Sequence, residues 1–310
     1  MMGKNRMIGL NIIICLAIIL GACMPNDDTK DTHLPTIYTS IYPIQFIVEQ
    51  LAGDVAHVIS VYPPGVDAHT YEPTMKEIID IAHGEAFIYL GAGMEGFADR
   101  AADALSSSDV QFIEVGKNTK LFKKAEKDEH HDDHDHGDYD PHIWFDPLRM
   151  IEVSEIIMEQ LFTLLPHDQE LIEENFNTLR DQLIQLDEEY LTTMREKSQP
   201  QIIVSHAAYG YWEERYNIKQ IPISGLTSGD EPSQKDLAYI IELAEQYDIE
   251  YVLFEKNTTN RRATIIQQHL GAKDLYIHNL ENLVDEEIED EEDYFSLMRA
   301  NLEVIDQTTK

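Results

Sequence analysis

The chain has 310 residues and carries 58 acidic against 23 basic side chains, a formal net charge of −35. Phosphate binding needs a cationic face, so this balance argues against a nucleic-acid partner. An acidic field also concentrates cations, but it serves solubility equally well, and charge alone selects no function.

The N-terminus, MMGKNRMIGLNIIICLAIILGAC, has two cations (Lys4, Arg6), an apolar run from Ile8 to Leu20 and small residues before Cys23. An apolar run shorter than the roughly 20 residues of a membrane span reads as a secretory signal over residues 1–22. Leu20-Gly21-Ala22-Cys23 is similar to the bacterial lipobox, in which the cysteine is lipidated and the chain is cut just before it. Lipidation at Cys23 would anchor the protein to a membrane without spanning it. The other cysteine, Cys15, leaves with the signal, so a metal site in the mature chain has to use nitrogen and oxygen ligands.

Residues 23–34 read as a polar tether. Strand-like runs then follow at TIYTS (36–40), AHVISVY (56–62), AFIYLG (86–91) and VQFIEV (110–115). Asp146 and Pro147 form a helix start, cap residue then first-turn proline. A second helix is expected from about Asp168 to Lys197, with Leu171, Phe176, Leu179, Leu183, Leu186 and Tyr190 at helical spacing. At 1.5 Å per residue it would be about 45 Å long. Strands resume at QIIVS (201–205), KQIPIS (219–224), YVLFE (251–255) and DLYIH (274–278), and Ser233 with Asp236 makes a capping box. Strands alternating with helices predict an α/β fold: two (β/α)4-type lobes with mostly parallel sheets, joined by a long rigid helix. The boundaries are 35–165 for the N-terminal lobe, with a histidine-rich loop at 128–139. The linking helix takes 166–198 and the C-terminal lobe 199–310.

Ligands of such sheets bind beyond the carboxyl ends of the strands. His69 lies in the loop VYPPGVDAHTYEP after the second strand, and His142 in DYDPHIWFDP before a helix start. His206 directly follows QIIVS, and Glu281 follows DLYIH. Three imidazoles and a carboxylate, two donors from each lobe, would meet in the inter-lobe cleft and suit a four-coordinate zinc.

Several motifs together carry a family resemblance: TSIYPIQFIVEQLAGD, PPGVDAHTYEPT, the histidine-rich loop, DPHIWFDP, VSHAAYGYW, GLTSGDEPSQKDL and YFSLMRANLEVI. From about Thr36 to Ile305 the chain resembles the zinc/manganese solute-binding lipoproteins of bacterial ABC importers (cluster A-I metal receptors), the zinc-receptor branch in particular. The resemblance implies that His69, His142 and His206 match the family's metal-binding histidines and Glu281 its carboxylate position. It implies an extracytoplasmic, lipid-anchored, monomeric receptor that captures Zn2+ and delivers it to an ABC permease, with modest lobe rearrangement. One departure is Ala68, where a proline often precedes the histidine. Manganese-selective relatives tend to carry a carboxylate at the position of His206, and imidazole suits zinc while an oxygen-rich set suits manganese. Manganese is therefore the alternative cargo.

Not all histidines read alike. In HHDDHDHGDYDPHIWFDP (130–147), His142 belongs to a Pro-restricted turn. His130, His131, His134 and His136 sit among aspartates with no apolar anchor, a composition that cannot offset its ordering entropy. A mobile loop capturing zinc weakly is the functional reading, and a solvated loop without a transport role the plain one. His33 falls in the tether, while His57, His83, His167, His269 and His278 read as surface or packing residues. Glu255, ending YVLFE, is a candidate acceptor behind a ligand. Tyr38, Tyr71, Trp144 and Tyr209 read as cleft wall and core. An enzyme is the competing class, since three histidines with an open position also describe a catalytic zinc. The chain has no H-E-x-x-H helix, and Glu281 fills the fourth position. A surface adhesin is a third class, permitted by the tether but supported by no motif.

Overall fold

The computed structural model describes residues 34–124, 139–227, 232–256 and 261–310. The expected signal, the lipidation site Cys23, His33 and the four loop histidines His130, His131, His134 and His136 lie outside the described residues.

The first half runs β1 (Thr36–Thr39), α1 (Tyr42–Ala52), β2 (His57–Ser60), α2 (Met75–Ile81), β3 (Ala86–Tyr89), α3 (Ala98–Ala104) and β4 (Gln111–Glu114). Two long helices follow, α4 (Pro147–Leu164) and α5 (Gln169–Met194). The second half runs β5 (Gln201–His206), α6 (Gly210–Tyr216), β6 (Lys219–Ser224), α7 (Gln234–Gln246), β7 (Tyr251–Glu255), α8 (Arg261–Leu270) and β8 (Lys273–Ile277). It closes with α9 (Asp285–Glu289) and α10 (Tyr294–Thr308).

The strands form two four-stranded parallel sheets of the same topology, β2-β1-β3-β4 and β6-β5-β7-β8. The expected α/β class with two parallel sheets is what the chain adopts. In each sheet the first strand pairs with the second on one side and the third on the other, so the carboxyl ends of the central strands open a crevice. Both faces of the central strands β5 and β7 are covered, which is why they read as apolar runs instead of alternating. Along β5, Ile202 and Val204 join the main core, whereas Ile203 points to a separate cluster with Ile223, Ile240, Val252 and Ile266.

The cap signals act as the sequence indicates. Asp146 Oδ1 accepts from the backbone N–H of Leu148 (2.9 Å) and Arg149 (3.4 Å), and Pro147 opens α4. Ser233 and Asp236 form the capping box of α7. The long helix is shorter than expected, ending at Met194, so its axis measures about 39 Å at 1.5 Å per residue. Its buried stripe is Ile172, Leu179, Leu183, Leu186, Tyr190 and Met194. Leu171, expected on that stripe, is exposed, because one residue turns it about 100° off the face. The helix packs against α1, α4, α6 and α10, so it lies along elements of both halves.

One main core runs through both halves. Trp144, Phe145, Tyr190, Tyr209 and Trp212 are all buried and in ring contact. Cross-links in the same region include Trp144 Nε1–H donating to Asn279 O (2.8 Å), Tyr294 Oη–H to Trp144 O (2.7 Å) and Tyr42 N–H to Glu281 O (3.0 Å). Among the described residues no helix is long and apolar enough to cross a membrane.

Candidate metal centre

His206 is the last residue of β5, and Glu255 ends the neighbouring strand β7. Strand geometry therefore sets both side chains side by side at the sheet's carboxyl edge, and His206 Nδ1 meets Glu255 Oε1 at 2.5 Å. A carboxylate only accepts, so Nδ1 carries the hydrogen and Nε2 faces away from the sheet.

His142 is positioned by a short acidic turn. Asp140 Oδ1 accepts from both the His142 backbone N–H (3.0 Å) and ring Nδ1–H (2.7 Å), and Pro141 between them restricts the backbone. Asp140 is itself held at both ends: its N–H reaches Lys123 O (2.9 Å), and its carbonyl accepts from Tyr211 Oη–H (2.6 Å). Gly210 is required beside it, because a Cβ there would stand 2.6 Å from Asp140 Oδ2. Asp140 was not among the residues singled out in the sequence. Its signal is the DPH spacing, an acidic residue two before a histidine across a proline.

His69 is set by an aspartate turn, in which Asp67 Oδ1 accepts from His69 N–H (3.0 Å) and Thr70 N–H (3.1 Å). Ala68, at the position where the family often has proline, is buried, and Tyr62 Oη–H donates to its carbonyl (3.4 Å). Glu281 follows Leu280, a non-glycine residue in the left-handed region (φ 59°), and its N–H donates to Asn279 Oδ1 (3.2 Å).

These four segments bring one donor atom each to a common point. His69 Nε2 lies 3.2 Å from His142 Nε2, which lies 3.4 Å from His206 Nε2. Glu281 Oε1 stands 3.4 Å from His69 Nε2, 3.6 Å from His206 Nε2 and 4.0 Å from His142 Nε2. A regular tetrahedron with bonds of about 2.0–2.1 Å, as for imidazole or carboxylate on zinc, has edges of about 3.3–3.4 Å. The five edges given span 3.2–4.0 Å, all four donor atoms lie within 4.8 Å of one another, and the four side chains are between 0% and 5% exposed. Among the described residues this is the one group of three or more histidine and acidic side chains so placed.

The electrostatics call for a cation at the centre. With Nδ1 of His142 and His206 committed to carboxylates, their Nε2 atoms face each other across 3.4 Å. Glu281 Oε1 is buried and, among the described residues, accepts no hydrogen bond. Such an atom is costly to leave unsatisfied. Burial would raise the Glu281 carboxyl, but His69 and His206 beside it prevail and hold it well below the ordinary range. Burial pushes His142 down against the pull of Asp140, so it stays neutral. Burial also opposes charge on His206, yet the carboxylates of Glu255 and Glu281 outweigh it and raise the imidazole well above its usual value. In the metal-free protein these carboxylates favour a proton on His206.

The remaining candidates fall outside this point. Glu72, three residues after His69, pairs instead with Arg100 (2.7 Å). His57, His83, His167 and His269 are exposed, and His278 is buried in a separate hydrogen-bonded cluster. Trp144 and Tyr209 belong to the core.

Residues 37–308 match the family model described as zinc-uptake complex component A, periplasmic. The zinc-binding lipoprotein AdcA of Streptococcus pneumoniae is 32% identical over 310 residues, covering 98% of this chain and 61% of the relative. The chain thus spans about three fifths of that relative's length. The high-affinity zinc uptake system protein ZnuA of Bacillus subtilis is 29% identical, with 96% of each chain covered. Among solved structures, the Zn(II)-bound ZnuA-like domain of S. pneumoniae AdcA superposes with a TM-score of 0.74 at 30% identity. It covers 89% of this chain and 98% of that one. The match over nearly the whole folded region places this chain in the ZnuA family of zinc-uptake components.

Proposed function

We propose that this chain is an extracytoplasmic zinc receptor that captures Zn2+ with His69, His142, His206 and Glu281 and passes it to an ABC-type permease. The observation that carries the reading is the tetrahedral spacing of the four buried donor atoms, 3.2–4.0 Å for the edges given above. Three imidazoles and one carboxylate favour zinc over manganese, which prefers a shell of oxygens. The names of the relatives, zinc-binding lipoprotein and zinc uptake protein, support the same cargo.

The chemistry is capture and release without turnover. Zinc displaces the proton of His206 and takes up the unpaired oxygen of Glu281, while Asp140 and Glu255 keep two rings aimed at the centre. Glu281 occupies the corner that a hydrolytic zinc would leave to water, so the reading is of a receptor and not an enzyme. Lipidation of Cys23 would hold a monomeric receptor at the membrane beside its permease. Elemental analysis of purified protein, with competition between zinc and manganese, tests the assignment. One tightly held zinc that excess manganese fails to displace is expected, and preferential retention of manganese would overturn it.

A further inference from the structure

The carboxylate of Glu281 accepts no hydrogen bond at Oε1 among the described residues, so its backbone, held by Asn279 Oδ1 and Tyr42 N–H, has to place it. That backbone is strained, since Leu280 adopts φ 59° without being glycine. A chain of buried polar groups holds it there. Leu280 N–H donates to His278 Nδ1 (2.9 Å), which must therefore be bare. The ring hydrogen sits on Nε2 and goes to Glu287 Oε2 (3.0 Å), which also accepts from Val284 N–H (3.1 Å). From α10, Asn301 grips the same residue twice: Oδ1 accepts from His278 N–H (2.7 Å) and Nδ2–H donates to His278 O (2.8 Å). His278 is 2% exposed and Asn301 1%. Anchoring a helix alone would be served as well by apolar packing, so a fully paired polar cluster here has a geometric task.

We propose that Asn301 and His278 are positioning residues for Glu281, fixing the left-handed turn at Leu280 and thereby the place of the carboxylate over the three imidazoles. The inference rests on the reading of Glu281 as a zinc ligand. It makes the C-terminal helix, which contributes no donor, a determinant of zinc affinity.

The test compares zinc affinity, by competition with a chelating indicator, and the visible spectrum of the Co2+-loaded protein. Asn301→Leu and His278→Phe are expected to weaken zinc by about 10- to 100-fold, as for other residues that orient a ligand. Both should shift the Co2+ spectrum towards that of Glu281→Ala. His278→Asn, whose side-chain oxygen can still accept from residue 280, should recover most of the affinity, and it carries the test with His278→Phe if Asn301→Leu does not fold. In a Glu281→Ala background, Asn301→Leu should cost nothing further. Equal losses in both backgrounds, or no loss in the intact one while Glu281→Ala is weak, would overturn this inference and leave the zinc reading standing. Undiminished affinity in Glu281→Ala alone would overturn the reading of Glu281 as well.

Discussion

Glu255 Oε1 stands 2.5 Å from His206 Nδ1, with both side chains 1% exposed, so a buried carboxylate on β7 faces the back of the imidazole that ends β5. Against the opposing effect of burial, Glu255, with Glu281 on the other side, raises the His206 imidazole well above its usual value and so favours the protonated ring in the metal-free protein. Zinc can bind Nε2 only after that proton leaves.

The sign of the pH dependence follows. His206 is raised, so below its pKa each unit of acid makes the proton about tenfold harder to displace. Glu281 is depressed and already ionised, and His142 is depressed and already neutral, so neither contributes a proton of its own above mildly acidic pH. Zinc affinity should therefore fall as pH drops from 7.5 to 5.5, because the proton on His206 has to leave before Nε2 can bind. Calorimetry in buffers of different ionisation heat should register proton release on zinc binding. Glu255→Gln should reduce that release and flatten the profile. Equal affinity at the two pH values would refute imidazole ligation.

Asp140 plays the corresponding part for His142. Replacing it with alanine leaves the His142 Nδ1–H without an acceptor in a fully buried position. Asp140→Ala should weaken zinc binding by about 10- to 100-fold while the protein still folds. Competition with an indicator and a thermal melt separate the two effects.

Gly210 should behave as a remote member of the same site. Its added Cβ would meet Asp140 Oδ2 at 2.6 Å, which forces the carboxylate off His142 or the start of α6 off its neighbours. Gly210→Ala is expected to cost about 1–3 kcal/mol of stability and to lower zinc affinity as well. Stability lost with affinity retained would show that the helix yields instead of Asp140.

A control lies where α5 meets α6. Asp187 accepts from Arg215 Nε–H (2.7 Å) and Nη2–H (2.6 Å) and from Tyr216 Oη–H (3.0 Å), and it is buried. Asp187→Ala should destabilise the fold by about 2–3 kcal/mol in chemical denaturation, since charge-assisted bonds are lost and Arg215 is left half-buried. Zinc affinity in the folded protein should not change.

Deleting residues 129–137 separates the histidine-rich loop from the buried centre. One tight zinc should remain, with weaker additional binding removed. Loss of the tight zinc in calorimetry would mean that the loop supplies a ligand.

Much of this was legible before any coordinates. All eight strands fall where strand-like runs stand between turn residues; the central β3 and β5 read as apolar because both their faces are buried, whereas the edge strands β2 and β8 are largely exposed. The helix starting at Pro147 was legible because a cap residue and a first-turn proline are local signals. His69, His206 and Glu281 stand out as polar residues after strands and His142 as one before a helix start, and the four donor atoms come together in the structure. Asp140, His278 and Asn301 did not stand out in the same way. The carboxylate reads as one more acid beside an acidic loop, and the pairing of His278 with Asn301 depends on a helix 23 residues on in sequence. Leu280 gives no hint either, since leucine is not a residue that signals a left-handed turn.

The central claim concerns which atoms surround the ion, and X-ray absorption at the zinc edge reads them directly. Protein lacking residues 129–137 and loaded with one equivalent of zinc should show three imidazole nitrogens and carboxylate oxygen at about 2.0–2.2 Å. His206→Ala should remove one imidazole from that shell. A shell dominated by oxygen, or one that His206→Ala leaves unaltered, would contradict the account.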